Sequence, residues 1–238
     1  MSTLYVSYQG GQGTPLVLFH GFGFTSQVWL PLVSDLITKY SVYLVDLPGF
    51  GNSDLMDWDT FKAKLFKQLP RNFAILGWSM GGGYGIQLAS EHPEIISHLV
   101  CVGASPKFIK DGSWPGIPAI FFDEFSRKLA IFPVATLQEF VKLQSGKELT
   151  IELSKLAPKE AMQASLKLLK NWDLRNNLKK VNTACFMFGR LDKVVPAETL
   201  KIMQQLYPKF DYVLFKQAAH MPFISHKNIF LAELNRVV

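Results

Sequence analysis

The chain has 238 residues, 48% hydrophobic and 18% charged, which excludes a disordered chain and supports one large domain. Its net charge is +6, most of it from nine basic residues set against four acidic ones between Lys142 and Lys180. No nucleic-acid-binding motif accompanies that charge, no apolar run is long enough to span a membrane, and no signal peptide opens the chain, so a cytoplasmic protein is expected.

Short apolar runs recur along the chain: "PLVLFHG", "SVYLVDLPG", "NFAILGW", "HLVCVG", "ACFMFG" and "DYVLF". Each has strand length, and several are apolar almost throughout, as strands buried on both faces of a parallel sheet are. Helical periodicity fills the gaps over 26–37, 58–69, 81–90, 197–206 and 228–237. Strands alternating with helices predict an α/β fold with a mostly parallel central sheet. The alternation fails over 110–171. There Met162, Leu166 and Leu169 share one helical face, and Pro158 suits a first turn. This stretch reads as a helical cap inserted late in the sheet, between core segments 1–109 and 172–238. Cys101 and Cys185 each lie within an apolar strand and have no histidine at metal-ligand spacing, so they read as buried structural thiols.

"AILGWSMGGGYG" carries the chemistry. An apolar strand runs into Ser79, glycines stand two residues to either side, and a helical pattern follows. A G-x-S-x-G sequence in that context predicts a tight turn holding a nucleophilic serine above the sheet. Serine needs a base, and the base needs an orienting acid. His220 follows the run "DYVLF", read as the last strand, at the sheet end where active-site loops gather. His226 and His92 read instead as helix ends. Asp192, in "CFMFGRLDKVVP", emerges at that same end, between serine and histidine in the chain. Asp46, Asp173 and Asp211 are weaker candidates for the acid. The backbone N–H groups of Met80 and Phe22 are placed to serve an oxyanion, with His20 tying down the "FHGFGF" loop. Phe22 and Trp78 are candidate walls of an acyl pocket. No metal or organic cofactor is called for.

"HGFG", "DLPGFGNS", "GWSMGG", "GRLDKVVP" and "AAHMPFISH" resemble, in order, the motifs of the α/β-hydrolase superfamily. "SPKFIKDGSWPGI", "DLRNNLKKV" and "KQAAHMPFISH" are similar to the branch of esterases that act in biotin synthesis on the methyl ester of pimeloyl-acyl-carrier protein. That resemblance implies Ser79 as nucleophile, Asp192 as acid and His220 as base, with Phe22 and Met80 as oxyanion donors. It also implies Trp78 and Phe140 on the substrate channel. An acyl carrier protein is the implied partner, and a monomer is the working expectation. Ala135 and Glu139 stand where the resemblance leads one to expect basic side chains. Lys159, Lys167 and Lys170, together on one face of the 158–172 helix, are the docking candidates in their place. A broad carboxylesterase, a carbon–carbon bond hydrolase and a non-catalytic ligand-binding relative are the alternatives. Aspartate-nucleophile members of the fold are disfavoured by serine at position 79.

Overall fold

The computed structural model describes residues 2–145 and 157–238. Lys147, Glu148, Glu152 and Lys155, four of the charged residues counted above, lie outside the described residues. Seven strands form one sheet: β1 (Val6–Gly10), β2 (Thr14–Phe19), β3 (Tyr40–Val45), β4 (Phe73–Trp78), β5 (Ile96–Val102), β6 (Ala184–Gly189) and β7 (Asp211–Phe215). Their order across the sheet is β1-β3-β2-β4-β5-β6-β7, and every pairing is parallel except β1 with β3. β4 and β6 are buried at every residue, which is why they read as unbroken apolar runs. β1 went unread in the sequence because it is an edge strand. Its residues are half-buried or exposed, with Tyr8 56% exposed, so no continuous apolar signal marks it.

The connections are α1 (Leu30–Leu36), α2 (Trp58–Gln68), α3 (Met80–Glu91), α4 (Ala119–Ile131), α5 (Pro133–Ser145), α6 (Lys159–Asn171), α7 (Glu198–Leu206), α8 (Pro222–Ser225) and α9 (Lys227–Val237). The helix expected over 26–37 is in fact two pieces. A 3₁₀ turn, Ser26–Trp29, leads into α1, whose first turn holds Pro31. Proline has no N–H to continue the earlier hydrogen-bond ladder, so a new helix starts there. Pro158 likewise precedes α6 as its N-cap residue rather than entering its first turn.

Two apolar layers flank the sheet. Along β5 and β6 the pairs Val100–Cys185 and Cys101–Phe186 alternate between them, so the two buried thiols point to opposite faces. The chain travels from β2 outward to β3, then returns past β2 to β4 and proceeds the other way. β2 and β4 therefore bound the crevice where ligand sites form in open α/β sheets. Helices α4, α5 and α6 all fall between β5 and β6, which are themselves neighbours in the sheet.

Candidate active site

Ser79 begins where β4 ends. Its backbone, at φ 53° and ψ −117°, is the one non-glycine residue with positive φ among the described residues. Such a conformation is costly for a residue with a Cβ and persists only where its surroundings hold it. Here the Ser79 N–H donates to the Val102 carbonyl at 2.9 Å, and its carbonyl accepts from Gly82 N–H at 2.9 Å. A Cβ on Gly77 would lie 2.5 Å from the Gly81 carbonyl oxygen, and one on Gly81 would press on the carbonyls of Phe19 and His20. Only glycine at both positions lets α3 start this close to the ends of β2 and β4. The serine hydroxyl caps nothing on α3 and has no hydrogen-bond partner among the described residues.

The structure brings the predicted acid and base together. Asp192 Oδ2 lies 2.6 Å from His220 Nδ1, with both side chains fully buried. Asp192 Oδ1 accepts from the N–H groups of Val194 and Val195 at 2.7 and 2.9 Å. A carboxylate receiving two backbone donors is fixed as an acceptor, so Nδ1 of His220 carries the proton. His220 Nε2 is then a bare lone pair, buried with no hydrogen-bond partner among the described residues. A Ser79–His220 hydrogen bond is not formed in this structure. The residue is held from three sides. Its ring rests on Gly103, its backbone carbonyl accepts from the Trp78 indole at 3.0 Å, and its backbone N–H donates to the Gln144 carbonyl at 3.1 Å. Gln144 belongs to α5, so the inserted helices grip the histidine directly. No sequence pattern marks that contact.

His20 Nε2 accepts from Leu47 N–H at 2.9 Å, and Nδ1 faces the Gly21 carbonyl at 2.8 Å. Burial lowers its pKa from 6.5 to about 4. The neutral ring pins the loop after β2 against the loop after β3. The loop after β2 carries Phe22, and its opening carbonyls, of Phe19 and His20, face Gly81 at the head of α3. Neither the Phe22 nor the Met80 N–H is taken up by a hydrogen bond among the described residues. Asp46, a rival acid by sequence, accepts from the N–H groups of Ser26 and Asn52 and is a loop clamp. His226 caps α9, and Asp173 pairs with Arg175 and Lys107.

Ser79 opens into a cavity of about 340 Å³. Phe22, Phe125 and Phe140 wall it, their rings in mutual contact at centroid separations of 5.0–6.3 Å, and Leu166 and Leu169 of α6 close one side. Phe140, one of the expected channel residues, lines this cavity, and so does Phe125, which went unnoticed in the sequence. Trp78 requires a correction. It is fully buried in the layer on the other face of the sheet, packed on Phe24 and Phe223, and does not line the cavity. Strand alternation turns its side chain away from that cavity, and its contribution is the hydrogen bond to His220. Lys159, Lys167 and Lys170 are exposed on α6, but Lys170 is ion-paired with Asp123 of α4, so its charge is already offset. Among the described residues no cluster of histidine, cysteine or acidic side chains has the makings of a metal site, and no helix is long and apolar enough to cross a membrane.

Residues 16–233 match the model of the alpha/beta hydrolase family. A pimeloyl-[acyl-carrier protein] methyl ester esterase from Legionella pneumophila (strain Lens) is 45% identical over 230 residues, covering 96% of each chain. Another protein of that name, from Aliivibrio salmonicida (strain LFI1238), is 36% identical over 95% of this chain and 92% of its own. Among solved structures, an esterase from Exiguobacterium antarcticum superposes with a TM-score of 0.91 at 25% identity, over 99% of this chain and 95% of that one. The strained serine turn, the sheet order and these matches over nearly the whole length agree, and the chain belongs to the alpha/beta hydrolase family.

Proposed function

We propose that this protein is a serine esterase that hydrolyses the methyl ester of pimeloyl-[acyl-carrier protein], releasing methanol and the free carboxylate in biotin synthesis. The observation that carries the reading is the near full-length similarity to esterases of that name, at 34–45% identity. The site supports it, because an uncommitted serine faces a largely apolar cavity suited to an acyl chain.

Ser79 Oγ attacks the ester carbonyl while His220 Nε2 takes its proton. Asp192 holds the ring in the tautomer that leaves Nε2 free and stabilises the imidazolium that forms. The N–H groups of Phe22 and Met80 receive the oxyanion. His220 returns its proton to the departing methoxide, giving methanol and an acyl-serine. Water, deprotonated by His220, attacks that acyl group, and Ser79 regains its hydrogen as the carboxylate leaves. The apolar cavity holds the methyl-ester end of the chain at Ser79. The thioester at the other end stays outside and intact.

The acidic carrier is proposed to dock on the basic face of α6, with Lys159 and Lys167 foremost and Lys170 weakened by Asp123. Steering of this kind acts on association and fades with salt. Mass spectrometry of the pimeloyl-carrier methyl ester after incubation tests the reaction. A loss of one methylene's mass with the thioester retained is expected for wild type and not for Ser79→Ala. An unchanged substrate, beside ready turnover of short esters, would instead indicate a broad carboxylesterase. Lys159→Glu with Lys167→Glu is expected to lower kcat/KM for the carrier substrate and spare a small ester. Equal effects on both would remove α6 from docking.

A further inference from the structure

Behind α6, on the side away from Ser79, lies a second cavity of about 440 Å³ between α6, α2 and α3. Its walls include Trp58, Phe61, Tyr84 and Trp172. Tyr84 is the centre of this aromatic group, with ring centroids 5.8, 5.3 and 5.4 Å from Trp58, Phe61 and Trp172. Both indoles are fixed. Trp58 donates to Glu91, and Trp172 donates to Gln87. Two hydroxyls line the same space, Tyr84 at 6% exposure and Ser165 at 4%, and neither has a hydrogen-bond partner among the described residues. Neither hydroxyl oxygen is sealed from solvent, so both open onto the cavity and are free to bond an occupant. Burial pushes the Tyr84 pKa up, so its hydroxyl remains a donor at any ordinary pH.

The chemistry of the walls narrows the occupant. The charged groups lining this cavity are carboxylates: Asp57, which caps α2 through Thr60, and Asp173, paired with Arg175 and Lys107. Among the described residues no cation lines it to hold an anion, and both carboxylates are already engaged. Aromatic faces favour a flat molecule, and two hydroxyl donors favour a carbonyl. Asn177 spends its Nδ2 on Ser90, which leaves its Oδ1 to accept from an amide N–H.

We infer that the cavity bounded by Tyr84, Ser165, Trp58 and Trp172 is a second ligand site, taking an uncharged planar molecule with a carboxamide, lactam or ureide group. It does not depend on which ester Ser79 cleaves. The site is coupled to the acyl cavity through α6. Leu166 and Leu169 wall one cavity, and Ser165 and Leu168 wall the other. A ligand that shifts α6 changes ester binding, and the ester changes ligand binding by the same factor.

Benzamide is the probe, with benzoate as its anionic counterpart of like shape. The indole N–H signals of Trp58 and Trp172, assigned through single Trp→Phe variants, are followed by NMR during titration of the full chain. Saturable shifts of both signals with benzamide, and none with benzoate, are expected. Tyr84→Phe and Ser165→Ala, which delete only hydroxyls, are each expected to weaken binding ~5-fold, the worth of one hydrogen bond. Saturating benzamide is expected to alter KM for a short ester in wild type and to do so less in Tyr84→Phe at the same concentration. Absent shifts, equal binding of benzoate, or unweakened binding in both variants would overturn the site. An unchanged KM, or a change undiminished in Tyr84→Phe, would overturn the coupling. The benzamide–benzoate comparison uses wild-type protein alone, so it stands even if a variant fails to fold.

Discussion

His20→Gln, tested at two pH values, probes the clamp beneath the Phe22 loop. Burial holds the His20 pKa near 4, against an ordinary value of 6.5. The unfolded chain therefore binds this proton more readily than the folded one. The sign follows from linkage: the stabilisation is fully present above 6.5 and is lost as pH falls from 6.5 towards 4. The gap, at about 1.4 kcal/mol per pH unit, is worth about 3 kcal/mol in full. Most of it, about 2–3 kcal/mol, should disappear between roughly pH 7.5 and 4.5. The geometry gives the same direction. A proton on Nε2 would set a donor against the Leu47 N–H, 2.9 Å away. Glutamine loses the titration and weakens the Leu47 contact, a cost of about 1–3 kcal/mol at either pH. Urea unfolding of both proteins at the two pH values isolates the histidine, because every other titrating group cancels in the difference. Wild type should lose about 2–3 kcal/mol more than the variant on acidification. Equal losses would mean that His20 is not held neutral by the fold, and the clamp argument would fall.

Ser79→Ala should abolish labelling by a fluorophosphonate as well as turnover, and labelling that survives would refute the nucleophile. Asp192→Asn should lower kcat by about 10⁴-fold with little change in fold, since an amide no longer fixes the tautomer of His220; near-normal rates would remove Asp192 from the site. Gly81→Ala should cost about 1–3 kcal/mol, lowering Tm by about 2–12 °C, and should reduce kcat by displacing Met80 from Phe22. Calorimetry and steady-state rates matching wild type would show that the turn has room to spare. EDTA should leave activity intact, and a loss restored by zinc would point to a metal enzyme.

The parallel strands were legible because burial on both faces leaves a strand little choice but apolar residues, as the "NFAILGW" and "ACFMFG" runs show. β1 was not, because one open edge permits Ser7, Tyr8 and Gln9. Asp192 and His220 could be paired from their order and their place after strands, a matter of topology that sequence records. Trp78 was expected on the acyl pocket and the substrate channel, a reading that took no account of which face of its strand it leaves. Alternation along β4 sends its ring to the opposite layer. The grip of Gln144 on His220 and the unpaired hydroxyls behind α6 arise from tertiary packing between segments far apart in the chain, and no local pattern encodes them.

β5 and β6 pair directly, although α4, α5 and α6 intervene between them in the chain. The sheet is therefore closed without those helices, and Asp192, His220 and Ser79 all stand on segments outside them. Lengthening or replacing such an excursion is thermodynamically cheap, about 0.6 kcal/mol of closure entropy for each doubling of a flexible loop. Lineages of this fold can thus exchange what covers the serine while inheriting the serine's machinery unchanged. The exception here is Gln144, whose carbonyl reaches the backbone of His220. A transplanted cover that failed to supply that one carbonyl would bring a new pocket and an ill-seated base together. Heritable change in selectivity should accordingly fall most freely on α4 and α6 and be most constrained at the end of α5.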